Sequence, residues 1–145
     1  INCAAPKSLQ LDRFIPLTPI RLLMDISGKN LSNILNFNQL NSMCQPLKRH
    51  LGYPVIKQIH SSIETILNYS NQAAAQQMSD TVSTAQLEMN SNMTYELQRL
   101  QSLQKINPAI RDEEIDFIEH QMKEMAHYMS NAELQLQAIR VIVNK

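Results

Sequence analysis

Residues 112–132 read DEEIDFIEHQMKEMAHYMSNA, and the fold turns on their spacing. Ile115, Ile118, Met122, Met125, Met129 and Ala132 follow one another at steps of three and four, which places all six on one face of a helix. Asp112, Glu113 and Glu114 stand at its start, where the partial positive charge of a helix N-terminus favours carboxylates. Just upstream, Asn107-Pro108 stops the preceding element, because the residue before a proline is pushed out of helical geometry.

From Val55 to Asn107 the chain has neither glycine nor proline. Ile56, Ile59, Ile63, Ile66, Ser70, Ala74, Met78, Val82, Ala85, Met89, Met93, Leu97, Leu100 and Leu103 recur there at helical steps. Unbroken, such a helix would run on the order of 80 Å at about 1.5 Å per residue. A compact domain of this size is roughly 35–40 Å across, so part of the helix must project or bend. The expected break is Asn68-Tyr69-Ser70-Asn71, whose polar side chains compete with the backbone for hydrogen bonds. The short Asn107-Pro108 connection predicts that the two helices fold back as an antiparallel hairpin.

The first 54 residues have another texture, with both glycines, Gly28 and Gly52, and five of the six prolines: Pro6, Pro16, Pro19, Pro46 and Pro54. Ile20–Met24 reads as a strand entering a tight turn at Asp25–Asn30, with Gly28 or Asn30 supplying a positive φ. Leu31–Leu35 is the candidate return strand, interrupted by Asn33 and Asn36. Asn36 or Asn38 is the N-cap of a short helix reaching about His50, Gly52 ends it, and Pro54 suits the first turn of the next. At the other end, Ile139, Val141 and Val143 alternate with Arg140, Ile142 and Asn144, a β-branched pattern that predicts a terminal strand paired with Ile20–Met24. The expected architecture is α+β and helix-dominated: one fragment, 1–145, with a strand, turn and short-helix part (1–54), a long antiparallel helical hairpin (55–135) and a terminal strand (136–145). The hairpin packs on a small antiparallel sheet.

Composition narrows function. Thirteen basic residues balance thirteen acidic ones, with the basic excess in 1–54 and the acidic excess in 55–145. Net acidic helices repel phosphates, so no direct nucleic-acid contact is expected, and Lys48-Arg49-His50 is too short a basic run to count as a footprint. Two glycines exclude a doubly wound nucleotide fold. Cys3 and Cys44 match no zinc or disulfide spacing, which fits a reducing cytoplasm. No apolar run is long enough to span a membrane, and a start at Ile1 suggests a piece cut from a larger protein.

Each candidate for chemistry meets a simpler reading. Asp112-Glu113-Glu114-Ile115-Asp116 resembles a magnesium-holding acidic box, but it opens an amphipathic helix instead of following a buried strand, so it is read as helix-end charge. No phosphate-cradling G-x-x-x-x-G-K-[ST] loop is present. His120 and His127, with Glu119 and Glu124 nearby, lie two turns apart, roughly 10 Å, too far for one ion. His50 and His60 lack any constellation, and Cys44 has no activating partner. The stripe Met78, Met89, Met93, Met122, Met125 and Met129 suits either a core or a docking face; solvent exposure of two or more would favour docking. The enzyme rival is a hydrolase using Glu113 or Glu114 with His120.

Four stretches carry a family likeness: Ala5–Leu11, Arg13–Arg21, Asn107–Glu114 and Ala138–Val143. Together they resemble the C-terminal end of the RapA (HepA) family, bacterial RNA polymerase-associated ATPases of the SWI/SNF helicase-like class. The resemblance spans about Ala4 to Asn144. It implies a cytoplasmic motor that binds RNA polymerase and uses ATP, with magnesium, to promote polymerase recycling. The motor's phosphate loop, acidic box and arginine motifs would lie outside this sequence, so no catalytic, cofactor-binding or metal-ligating residue is assigned. The expected role is a non-catalytic accessory domain contacting RNA polymerase or other domains of the parent ATPase, with no small-molecule substrate and no membrane contact. The alternative is a self-associating coiled-coil dimerisation module.

Overall fold

The computed structural model describes residues 1–15 and 19–144. Two 3-10 turns, Lys7–Leu9 and Leu11–Arg13, precede helices α1 (Phe37–Met43), α2 (Arg49–Gln58), α3 (His60–Gln104) and α4 (Asp112–Ser130). The chain divides into two compact units: residues 1–19 with 77–135, and residues 20–76 with 136–145. Helix α3 contributes to both. No described helix is long and apolar enough to cross a membrane.

The first unit holds the core. Leu9, Leu11, Phe14 and Ile15 from the N-terminal segment close over Ala85, Met89 and Met93 of α3 and Met125 and Met129 of α4. Both helices present residues four apart, the repeat that keeps side chains on one face, and Ile118 and Met122 extend the α4 stripe at its margin. Each fully buried methionine contributes about 1.5–3 kcal/mol of transfer free energy. Two polar ties fix the alignment: Gln104 Nε2 donates to Asp112 Oδ1 at 2.7 Å, and Gln86 Nε2 to Ser130 Oγ at 3.0 Å. The end of α3 thus meets the start of α4, and residue 86 meets its end, so α4 runs antiparallel to α3. Between the 3-10 turns Gln10 takes φ 50°, a left-handed conformation, and its N–H donates to Lys7 O at 3.1 Å. Asn2 and Glu133 exchange two backbone hydrogen bonds, 2.7 and 2.8 Å, which fasten the N-terminal segment beyond α4.

In the second unit the Asp25–Asn30 turn forms as its residues demand. Asp25 Oδ1 accepts from Ser27 N, Ser27 Oγ and Lys29 N at 2.6–2.9 Å, and Gly28 supplies φ 81°. A Cβ at Gly28 would stand 3.0 Å from the Tyr69 ring. Asn36 caps α1 in a reciprocal box: its Oδ1 accepts from Gln39 N at 2.8 Å and its N–H donates to Gln39 Oε1 at 3.1 Å.

Several sequence-based expectations are corrected here. The α+β class with a small sheet gives way to a helical fold, with no strand among the described residues. Beyond Met24 the expected N-terminal hairpin has only the isolated Met24–Asn30 bridge. Leu23 N donates to Ser32 Oγ at 2.8 Å instead of continuing a backbone ladder, and Leu31 O accepts from Ile34 and Leu35 N, turning the return segment back on itself. Residues 136–144 adopt no regular element, although Arg140 Nη1 donates to Asn41 Oδ1. Pro16 in the loop-rich part and Lys145 at the end of the expected strand lie outside the described residues.

Helix boundaries also shift. α1 ends at Met43, before Pro46, and both Gly52 and Pro54 lie inside α2. Gly52 is not at positive φ, so it need not act as a stop. α3 passes unbroken through 68–71. There Ser70 Oγ donates to Ile66 O at 2.8 Å, a bond back along the same helix that satisfies the hydroxyl without opening the backbone, while Asn68 and Asn71 are exposed. The interruption falls earlier, at Ile59 between α2 and α3 (φ −102°, ψ 17°).

Candidate functional site

The ionisable residues singled out in the sequence lie dispersed. Asp112, Glu113 and Glu114 form the exposed first turn of α4. Asp112 is engaged by Gln104, and Glu114 Oε1 accepts from Arg111 N at 3.4 Å, which are the bonds of a helix end. His120 Nε2 lies 3.7 Å from Glu124 Oε1, and His60 Nδ1 3.7 Å from Glu64 Oε1, both exposed i, i+4 pairs. His127 faces Asn131 Nδ2 at 3.3 Å and stands edge-on to Tyr128. Glu119 is half-buried and His50 exposed. Among the described residues no three His, Cys, Asp or Glu side chains converge as a cation site. These dispersed carboxylates and imidazoles do not make a magnesium-holding set.

Both cysteines are free and half-buried. Cys44 closes α1. Cys3 Sγ donates to Tyr128 O at 3.1 Å, and burial pushes its thiol pKa up, which suppresses the nucleophilic thiolate. Cys3 also borders a cleft of about 470 Å³ with Pro6, Gln10, Leu11, Asp12 and Ile15. The thiol is therefore a packing and hydrogen-bonding group there.

The methionine stripe is core. Met89, Met93, Met125 and Met129 are buried, Met78 and Met122 are half-buried, and none is exposed. The docking reading of that stripe is thereby removed.

What sequence reading missed is the surface of the second unit. None of its described residues is buried, yet it carries most of the large exposed apolar side chains, among them Ile26, Ile34, Phe37, Leu47, Leu51 and Tyr53. Its described charged residues are Arg21, Lys29, Lys48, Arg49, Lys57 and Arg140 against Asp25 and Glu64. Arg21 lies over the Phe37 ring at 6.0 Å and donates to Leu35 O at 3.3 Å. The Asp25 carboxyl is held below the usual carboxylate range, first by the Ser27 hydroxyl and then by the Lys29 amide. The signal available in the sequence was the combination of basic excess and glycine- and proline-punctuated apolar runs in residues 1–54.

Among the described residues no catalytic set converges, and the second unit exposes apolar side chains beside cations. The profile of the RNA polymerase recycling family, C-terminal, matches residues 1–144, and the chain belongs to that family. It is 37% identical over 143 residues to the RNA polymerase-associated protein RapA of Photobacterium profundum, 38% to that of Vibrio vulnificus and 35% to that of Vibrio cholerae. Each match covers 99% of this chain and 15% of the relative. The chain therefore spans about a seventh of the length of the curated relatives it matches.

Proposed function

We propose that this chain is a non-catalytic accessory domain of an ATP-dependent, RNA polymerase-recycling transcription regulator in the cytoplasm, and that it acts through contacts with polymerase or with other domains of the longer protein. The carrying observation is the family match over residues 1–144, supported by relatives named for association with RNA polymerase. The closed methionine core and the scattered carboxylates and histidines agree with a role in contact. ATP and magnesium are assigned to the rest of the longer protein.

A pull-down of core RNA polymerase by the 145-residue chain tests the reading. Retention is the expected result, and failure to retain polymerase removes the polymerase contact and leaves interdomain support. Phe117, 62% exposed on α4 among Glu113, Asp116 and His120, favours a second reading, self-association. Sedimentation as a monomer at high concentration would eliminate it.

A further inference from the structure

We propose that the outer face of α2 is a docking surface for a protein partner that presents carboxylates around apolar side chains. Arg49, Tyr53, Ile56 and Lys57 stand at i, i+4, i+7 and i+8, one face of the helix. All four are exposed, Tyr53 at 72% and Ile56 at 44%. The half-buried residues Gly52 and Val55 occupy another face, so the exposed one is not the side this helix packs on. Its cations have no acidic partner among the described residues: Glu64 faces His60, and the Asp25 carboxylate is taken up by its own turn.

Charge complementarity makes the partner acidic, and the apolar pair makes it a protein. Phosphates reward cations alone and would leave Ile56 in water, whereas a carboxylate-rimmed apolar patch satisfies both kinds of group and steers the encounter. This inference deepens the contact reading above and rests on it.

The test uses the full chain, 15N-labelled, titrated with an 18-residue helical peptide bearing leucines at i, i+3, i+4 and i+7 flanked by glutamates. A lysine-flanked version and a 12-base-pair DNA duplex serve as competitors. The glutamate peptide is expected to shift amides between 47 and 58 and to bind at least tenfold tighter than the lysine peptide. The double variant Arg49→Glu/Lys57→Glu should bind it at least tenfold more weakly, as should Ile56→Ser, with the amide spectrum of 77–135 unchanged as proof of folding. Absence of localised shifts overturns the proposal, as does equal binding by the variants. Tighter binding of DNA at the same amides would make the surface a nucleic-acid site. Concentration-dependent shifts there without peptide would make the occupant a second copy. Polymerase retained equally by wild type and double variant would leave the contact reading standing and remove this face from it.

Discussion

The unit formed by residues 1–19 and 77–135 and the unit formed by 20–76 and 136–145 solve the same problem of burial in different ways. Among the described residues the first gathers all the buried side chains, drawing four from a segment without α-helix and five from two antiparallel helices. The second orders itself by local hydrogen bonds, an Asx-type turn at Asp25 and a capping box at Asn36, and leaves leucines, isoleucines and aromatic rings in solvent. Packing holds one together and local geometry shapes the other. The contrast teaches that a unit with no buried side chain among its described residues can still take a defined shape from local bonds while its apolar groups stay exposed.

The sharpest break in that contrast is truncation of a core methionine. Met89→Ala, at a fully buried position, is expected to cost about 2–5 kcal/mol in urea denaturation. Leu51→Ala, half exposed on α2, should change stability by no more than about 0.5 kcal/mol. Next comes Gly28→Ala, expected to destabilise by about 1–3 kcal/mol, because a side chain there meets both positive φ and the Tyr69 ring. Asn36→Ala should cost about 1 kcal/mol through loss of the α1 cap, read as reduced amide protection at Phe37–Gln39. Gly52→Ala has the opposite sign. A Cβ there meets only Leu47, at 3.8 Å, so the gain in helix propensity, about 0.5–1 kcal/mol, should raise the denaturation midpoint.

The smallest effect is the pH dependence of the Asp25 turn. A carboxyl whose folded pKa is depressed contributes stability that is complete above its unfolded value, about 3.9, and is lost as pH falls through the folded one. The Ser27 and Lys29 amide shifts, followed by NMR, should titrate below the ordinary aspartate range.

How far the sequence could be read depended on the range of the interactions that decide each element. The periodicity of Ile115 to Met129 marked the α4 stripe, and Asp25, Gly28 and Asn36 were legible because their bonds close within four residues. The expected strands depended on distant pairing, which no local pattern guarantees. Leu23 found the Ser32 hydroxyl, and β-branched Val141 and Val143 found no ladder. The break at 68–71 was misplaced because a serine that bonds to its own helix is indistinguishable by composition from one that opens it. Of the contact surface, the basic excess of the first 54 residues was visible but not its exposure, since exposure depends on what the rest of the chain fails to cover. The family likeness supplied the family, which spacing alone did not.

Leu9, Leu11, Phe14 and Ile15 are a lid laid over the methionines, fastened by the backbone pair between Asn2 and Glu133 and the thiol bond from Cys3. A protease nick or a shortened expression boundary anywhere in those fifteen residues would uncover a thioether-rich seam, sticky and open to oxidation to the sulfoxide. For anyone preparing this domain, residues 1–15 are the part that must not be trimmed.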